Sequence, residues 1–304
     1  MELFSQASLS PEIIAEIRRL HFETSRLAEE GISGSYRSAF RGRGIEFEEV
    51  RPYRPGDDIR SIDWKVTARS GEPFVKIFRE ERELNVLIAV DVSASNLTGT
   101  RCQLREALLA RVGAVLSLIA LRNNDHVGLV TYSDKIETFH PPRKAKGAVW
   151  RILHDILAKF SEEKSSSQQN KTDLSGMFSF IQSVLKKKSV VFVLSDFADT
   201  GFEQALASLS RRHDVTAVLP TDPSDLNLPE FGLIDVCDPE TGFNTTLDCS
   251  NELFRKAFHD KAQEHRNSQL ELLLKNKVGI IELSTERPFM QDLQLFFNKR
   301  NKKS

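Results

Sequence analysis

A mostly parallel α/β sheet covered by helices on both faces is the fold class that the sequence predicts, and three observations carry it. Continuous apolar runs of strand length recur: Val86-Leu-Ile-Ala-Val90, Val127-Gly-Leu-Val-Thr-Tyr132, Val190-Val-Phe-Val-Leu194 and Val215 to Leu219. Such runs suit strands buried on both faces. Segments of helical periodicity separate them, and strands alternating with helices argue parallel pairing through right-handed crossovers. Finally, two of the runs lead into aspartate, at Asp91 and at Ser195-Asp196.

In chain order, Ser10-Pro11 reads as a helix start, and Ile13, Ile17, Leu20 and Leu27 recur at helical spacing until Gly31, so a helix is expected over about 11–30. From Tyr36 to Asn85 there are 11 basic and 10 acidic residues, with Gly42, Gly44, Pro52, Pro55 and Gly56 breaking any long period. That composition predicts irregular structure or short strands. After the strand at 86–90, Leu104, Leu108, Val112, Val115, Leu116 and Ile119 mark a helix, and the strand at 127–132 follows. Val149, Ile152, Leu153 and Ile156 mark another helix, and the polar stretch Ser161 to Lys171 reads as a mobile loop.

Leu174, Met177, Phe178, Ile181 and Leu185 form one helical face before the strand at 190–194. Phe202, Ala205, Leu206 and Leu209 predict the next helix, followed by the strand at 215–219. Two short β segments flank Asp238-Pro-Glu-Thr-Gly242, whose residues are those of a hairpin turn. A long helix near 251–275, a strand at 278–283 and a final helix from about Pro288 complete the chain. The expected division is a family-specific, Arg-rich N-terminal segment over 1–85, the α/β domain over 86–300 with a hairpin insertion near 232–248, and a basic tail at 301–304.

Composition narrows the function. The 304 residues are 40% apolar and 28% charged, enough for a substantial core, and 42 basic against 43 acidic side chains leave a net charge of −1. No overall field draws the chain to nucleic acid or anionic lipid. Arg37, Arg41, Arg43, Arg51, Arg54, Arg60 and Arg69 are interleaved with acids, which favours a salt-bridged structural segment over a nucleic-acid surface. Cys102, Cys237 and Cys249 lack CxxC spacing and fit a reducing compartment. Met1 to Ser10 has no secretory pattern, and the apolar stretch Ala107 to Leu121 is interrupted by Arg111. A cytosolic protein without a membrane span is therefore expected.

In open parallel sheets, ligands bind beyond the carboxyl ends of strands. There the sequence places Asp91-Val-Ser93-Ala-Ser95 and Asp196, while Thr172 opens the helix before the strand at 190–194. Three hydroxyls and two carboxylates are hard oxygen donors that suit Mg2+, with Ca2+ or Mn2+ as alternatives, and offer no nitrogen or sulfur for zinc. The same hydroxyls could instead cap helices.

The combination resembles the metal-ion-dependent adhesion site (MIDAS) of von Willebrand factor A domains, which have a Rossmann-like sheet. That resemblance implies direct coordination by Ser93, Ser95 and Thr172, with Asp91 and Asp196 acting mainly through water. Gly42-Arg-Gly-Ile-Glu-Phe-Glu-Glu-Val-Arg-Pro-Tyr53, Pro55-Gly-Asp-Asp-Ile-Arg-Ser-Ile-Asp-Trp64 and Ala68-Arg69 are similar to the bacterial family called domain of unknown function 58. Asn96 and Asn170-Lys171 depart from that family's pattern without removing a ligand. The resemblance implies an adaptor that acts with a MoxR-type AAA+ ATPase and an unknown client protein, not an enzyme.

The residues also speak for binding. An ion held directly by neutral hydroxyls stays strongly electrophilic and seeks an external carboxylate. No P-loop occurs. The alternative is a magnesium-dependent phosphoryl-transfer enzyme or hydrolase using Asp91, but Ser93 stands where a second acid would be needed.

Overall fold

The computed structural model describes residues 11–29, 32–40, 46–79, 83–93, 105–144, 146–161, 172–237 and 244–302. The chain divides into two compact units, Met1–Ala39 with Leu84–Ser304, and Phe40–Glu83. The first two helices, α1 (Pro11–Glu29) and α2 (Ile32–Ala39), thus cluster with the large sheet, and only the segment after them stands as a unit of its own.

In that smaller unit, β1 (Glu46–Pro52) pairs antiparallel with β2 (Phe74–Arg79), with a register shift between Phe47 and Glu49. Between them lies α3 (Trp64–Ser70), where the Asp63 side chain accepts from Lys65 N and Val66 N at the open helix start. The interleaved charges pair in part as expected. Arg51 grips Asp57 through two 2.7 Å hydrogen bonds, which with the Arg54 amide hold that carboxyl down at about 2.

The larger unit is a six-stranded sheet. Its members are β3 (Asn85–Asp91), β4 (His126–Tyr132), β5 (Ile136–Arg143), β6 (Val190–Leu194), β7 (Asp214–Thr221) and β10 (Gly279–Ser284), in the order β10-β7-β6-β3-β4-β5. All pairings are parallel except β4 with β5. The strand expected at 278–283 is β10, and the apolar runs predicted β3, β4, β6 and β7. They did not predict the edge strand β5, because its half-buried sequence Ile-Glu-Thr-Phe-His-Pro-Pro-Arg carries no continuous apolar run. Gly128 makes the β4–β5 contact possible: a Cβ there would lie 2.7 Å from the His140 carbonyl oxygen.

Side-chain alternation along the strands feeds two helical layers. Leu87, Ala89, Val191, Val193, Val215 and Ala217 pack in one core with residues of α6 (Leu174–Val184), α7 (Glu203–Arg212) and α8 (Glu252–Lys275). On the other face lie α4 (Arg105–Arg122) and α5 (Lys146–Ser161), where Gly113 of α4 sits over Ile88, Leu194 and Ile156. Because α4 is covered by the sheet on one side and by α1 and α5 on the other, it is buried almost all round. The last helix, α9 (Phe289–Asn301), packs with α2, where Tyr36 meets Phe297 edge-on. The Tyr36 hydroxyl donates to Asp125, which also accepts from Leu84 N.

A hairpin of β8 (Leu233–Cys237) and β9 (Asn244–Asp248) precedes α8. The turn expected at 238–242 lies outside the described residues, as does the loop expected at 161–171 apart from Ser161, which ends α5. Among the described residues, no helix is long and apolar enough to cross a membrane.

Candidate functional site

The sheet order places the site. From β3 the chain crosses to β4 on one side, and the later strand β6 pairs on the other side of β3. This is the switch point at which open α/β sheets leave a crevice beyond their strand ends. Asp91 is the last residue of β3, paired in register with Tyr132 of β4, and Ser195-Asp196 follows β6 directly. The two aspartates predicted from sequence therefore stand on adjacent strand ends.

Asp91 is fully buried, as are Ser93 and Ser195. Ser93 N donates to Asp91 Oδ1 at 2.9 Å, and the Ser195 hydroxyl donates to Oδ2 at 2.7 Å. The Ser93 hydroxyl donates to the same carboxylate. Three donors would ordinarily hold a carboxyl low. Burial, followed by repulsion from Asp196, overrides them and pushes Asp91 up to about 6. The Tyr132 phenol is raised as well, by burial first and then by Asp91.

The loop after β6 is pinned from several sides. Ser195 Oγ also accepts from Phe197 N at 3.1 Å, and Asp196 Oδ1 accepts from Ala198 N. Phe197 has a φ of 55°, a left-handed conformation uncommon for a non-glycine residue. Its ring is buried against Phe178 and Phe202, which fixes the turn. Gln269 of α8 donates to the carbonyls of Asp196 and Phe197.

Thr172 reaches the same edge through backbone bonds. Asp173 N donates to Ser133 O, next to Tyr132, and Leu174 N donates to Asp199 Oδ2. Asp173 caps α6 through Gly176 N, and Gly176 leaves room for it, since a Cβ there would lie 2.2 Å from Asp173 Oδ2. Thr172 itself is not the cap. Its Oγ1 is buried and makes no hydrogen bond among the described residues. A buried hydroxyl without a partner is costly unless something else occupies its lone pairs.

Of the five residues predicted from sequence, the structure brings Asp91, Ser93, Thr172 and Asp196 to one sheet edge, while Ser95 lies outside the described residues. Sequence reasoning missed the positioning roles of Ser195, Asp199 and Gln269. Ser195 was readable as a hydroxyl beside Asp196, but its bond to Asp91 depends on strand pairing. Among the described residues, no three His, Cys, Asp or Glu side chains group as metal ligands. A divalent cation could be held here only by hydroxyls together with the two aspartates. The donor set fits one: all donors are hard oxygens, two carboxylates repel each other, and the Thr172 hydroxyl is unsatisfied.

The chain is similar to the uncharacterized protein Rv1480 of Mycobacterium tuberculosis, with 25% identity over 293 residues, covering 96% of this chain and 91% of that one. Among solved structures it is similar to the conserved hypothetical protein BatB from Bacteroides thetaiotaomicron, at 14% identity and a TM-score of 0.42, covering 73% of this chain and all of that one. The SpRpn10 VWA domain gives 12% identity and a TM-score of 0.37, covering 69% of this chain and 93% of that one. The family described as protein of unknown function DUF58 matches residues 49–268, more than two thirds of the sequence, and the chain belongs to that family.

Proposed function

We propose that this protein is a binding adaptor that captures an acidic side chain of a partner at a magnesium site formed by Asp91, Ser93, Ser95, Thr172 and Asp196. One observation carries the reading: a carboxylate held between serine hydroxyls and raised by burial and then by its neighbour Asp196, at the same strand-end edge as a buried threonine hydroxyl that bonds to nothing described. Bound there, the cation supplies an open coordination position for an external carboxylate oxygen.

The protein's residues do the rest. Ser93 and Ser195 orient Asp91, so its charge is fixed before any ligand arrives. Asp199 ties the start of α6 to the loop after β6, holding Thr172 on the same edge. In keeping with the family resemblance, the partner is a MoxR-type AAA+ ATPase, whose client remains to be identified by capture. The site is not built for nucleophilic attack. Both Asp91 oxygens accept hydrogen bonds, the residue is fully buried, and the position two residues later is Ser93.

The test is a pull-down of a MoxR-type ATPase from the same cell, run in magnesium and in EDTA with wild type and Thr172→Ala. Binding is expected in magnesium and is expected to fall in EDTA and in the variant. Equal binding in all arms overturns the reading, and so does phosphatase or ATPase turnover abolished by Asp91→Asn.

A further inference from the structure

A crevice of about 210 Å³ adjoins the candidate metal site, with Asp196 as a shared wall. It lies at the ends of β6 and β7 beside α8, and apart from Asp196 its lining is distinct from the residues assigned to the metal. Its apolar lining comes from Leu219, Pro220, Leu226 and Ala262. We infer that this crevice receives an aromatic side chain of the partner, placed within a residue or two of the carboxylate that the metal site captures. The inference rests on that reading of the metal site and adds the second specificity element.

Charge decides against other occupants. Arg105 and Arg266 both line the crevice, and each meets one acid through Nη2, Arg105 with Asp225 and Arg266 with Glu282, while Arg105 Nε is buried without a hydrogen-bond partner among the described residues. A second carboxylate would sit beside three acids of the same lining, Asp196, Asp225 and Glu282. A lysine or arginine would compete with the two guanidiniums for the same acids, and the cation expected at Asp196 would repel it. Two further polar groups are engaged: Thr221 Oγ1 donates to Leu283 O, and Gln269 holds the Asp196 loop. What is left is an apolar lining bordered by flat groups, the two cationic guanidiniums and the His265 ring. Aromatic faces pack on such groups more favourably than aliphatic chains do. The volume suits one large side chain rather than a peptide segment.

The probe is a phage-displayed random heptapeptide library, panned on the full chain in magnesium and eluted with EDTA. Enriched sequences are expected to carry Asp or Glu with Phe, Tyr or Trp within two positions. Replacing that aromatic by Ala in a synthetic peptide should weaken binding roughly tenfold, and replacing it by Leu roughly threefold. Ala262→Met, which fills the crevice from α8, and His265→Ala should each reduce the aromatic preference. Enrichment of acids without aromatics, an equally good Leu peptide, or a preference for Lys or Arg overturns the crevice assignment and leaves the metal reading standing. If EDTA elutes no acidic peptides, the metal reading fails and the inference fails with it.

Discussion

The Ser195 hydroxyl donates to Asp91 Oδ2 at 2.7 Å while accepting from Phe197 N at 3.1 Å, so one side chain joins the end of β3 to the left-handed turn after β6. The bond spans 104 positions of sequence. It couples the carboxylate at the centre of the site to the backbone that carries Asp196.

Ser195→Ala therefore leaves a buried carboxylate oxygen short of a donor and a buried amide without an acceptor. A loss of about 2 kcal/mol in unfolding free energy is expected, measured by urea denaturation. The Asp91 carboxyl should also titrate higher in this variant. Wild-type stability in the variant would mean that the bond is dispensable.

Asp91 makes the metal-free protein acid-preferring over a defined range. Its folded pKa of about 6 lies above the ordinary carboxylate value. The contribution is therefore fully present below about pH 4 and is lost as pH rises through 6, on the order of 3 kcal/mol. Asp91→Asn should flatten this segment of the stability–pH curve in EDTA and leave the protein at pH 7.5 at least as stable as wild type. A parallel curve for the variant would remove Asp91 as the cause.

Magnesium should stabilise wild type by RT ln(1 + [Mg]/Kd), about 2.7 kcal/mol at a hundredfold excess over Kd. Melting curves in magnesium and EDTA read this directly. Asp91→Asn should lose most of the shift. Thr172→Ala is the sharper case: its hydroxyl satisfies nothing described in the metal-free fold, so the variant should melt like wild type in EDTA yet show a smaller magnesium shift. A loss of stability in EDTA would assign the hydroxyl a structural bond instead.

Gly128→Ala should cost about 3 kcal/mol, because its Cβ would meet backbone atoms, His140 O at 2.7 Å and Pro142 N at 2.8 Å. Hydrogen exchange should show the loss concentrated in the β4–β5 pair. A change below 1 kcal/mol, the scale of a surface substitution, would show that the edge strand can shift aside.

The parallel strands and their helices were legible because burial on both faces demands continuous apolar runs, and those runs appear in the sequence as plainly as at Val190 to Leu194. That Asp91, Ser93 and Asp196 stand at or just past strand ends, and Thr172 just before a helix, was legible too, since local pattern locates those termini. The edge strand β5 and α3 were not, because the half-buried β5 and the largely exposed α3 carry a weaker apolar signal. Strand order was decided only in three dimensions: that β6 pairs with β3, rather than with β4 or β5, depends on crossovers that no local pattern encodes. With that order came the Ser195–Asp91 bond, the raised Asp91 carboxyl and the shared wall of the crevice at Asp196. Sequence sets which residues end a strand, through hydrophobic periodicity; tertiary packing sets which strand ends become neighbours, and so which charges repel, which hydroxyls find partners and which do not.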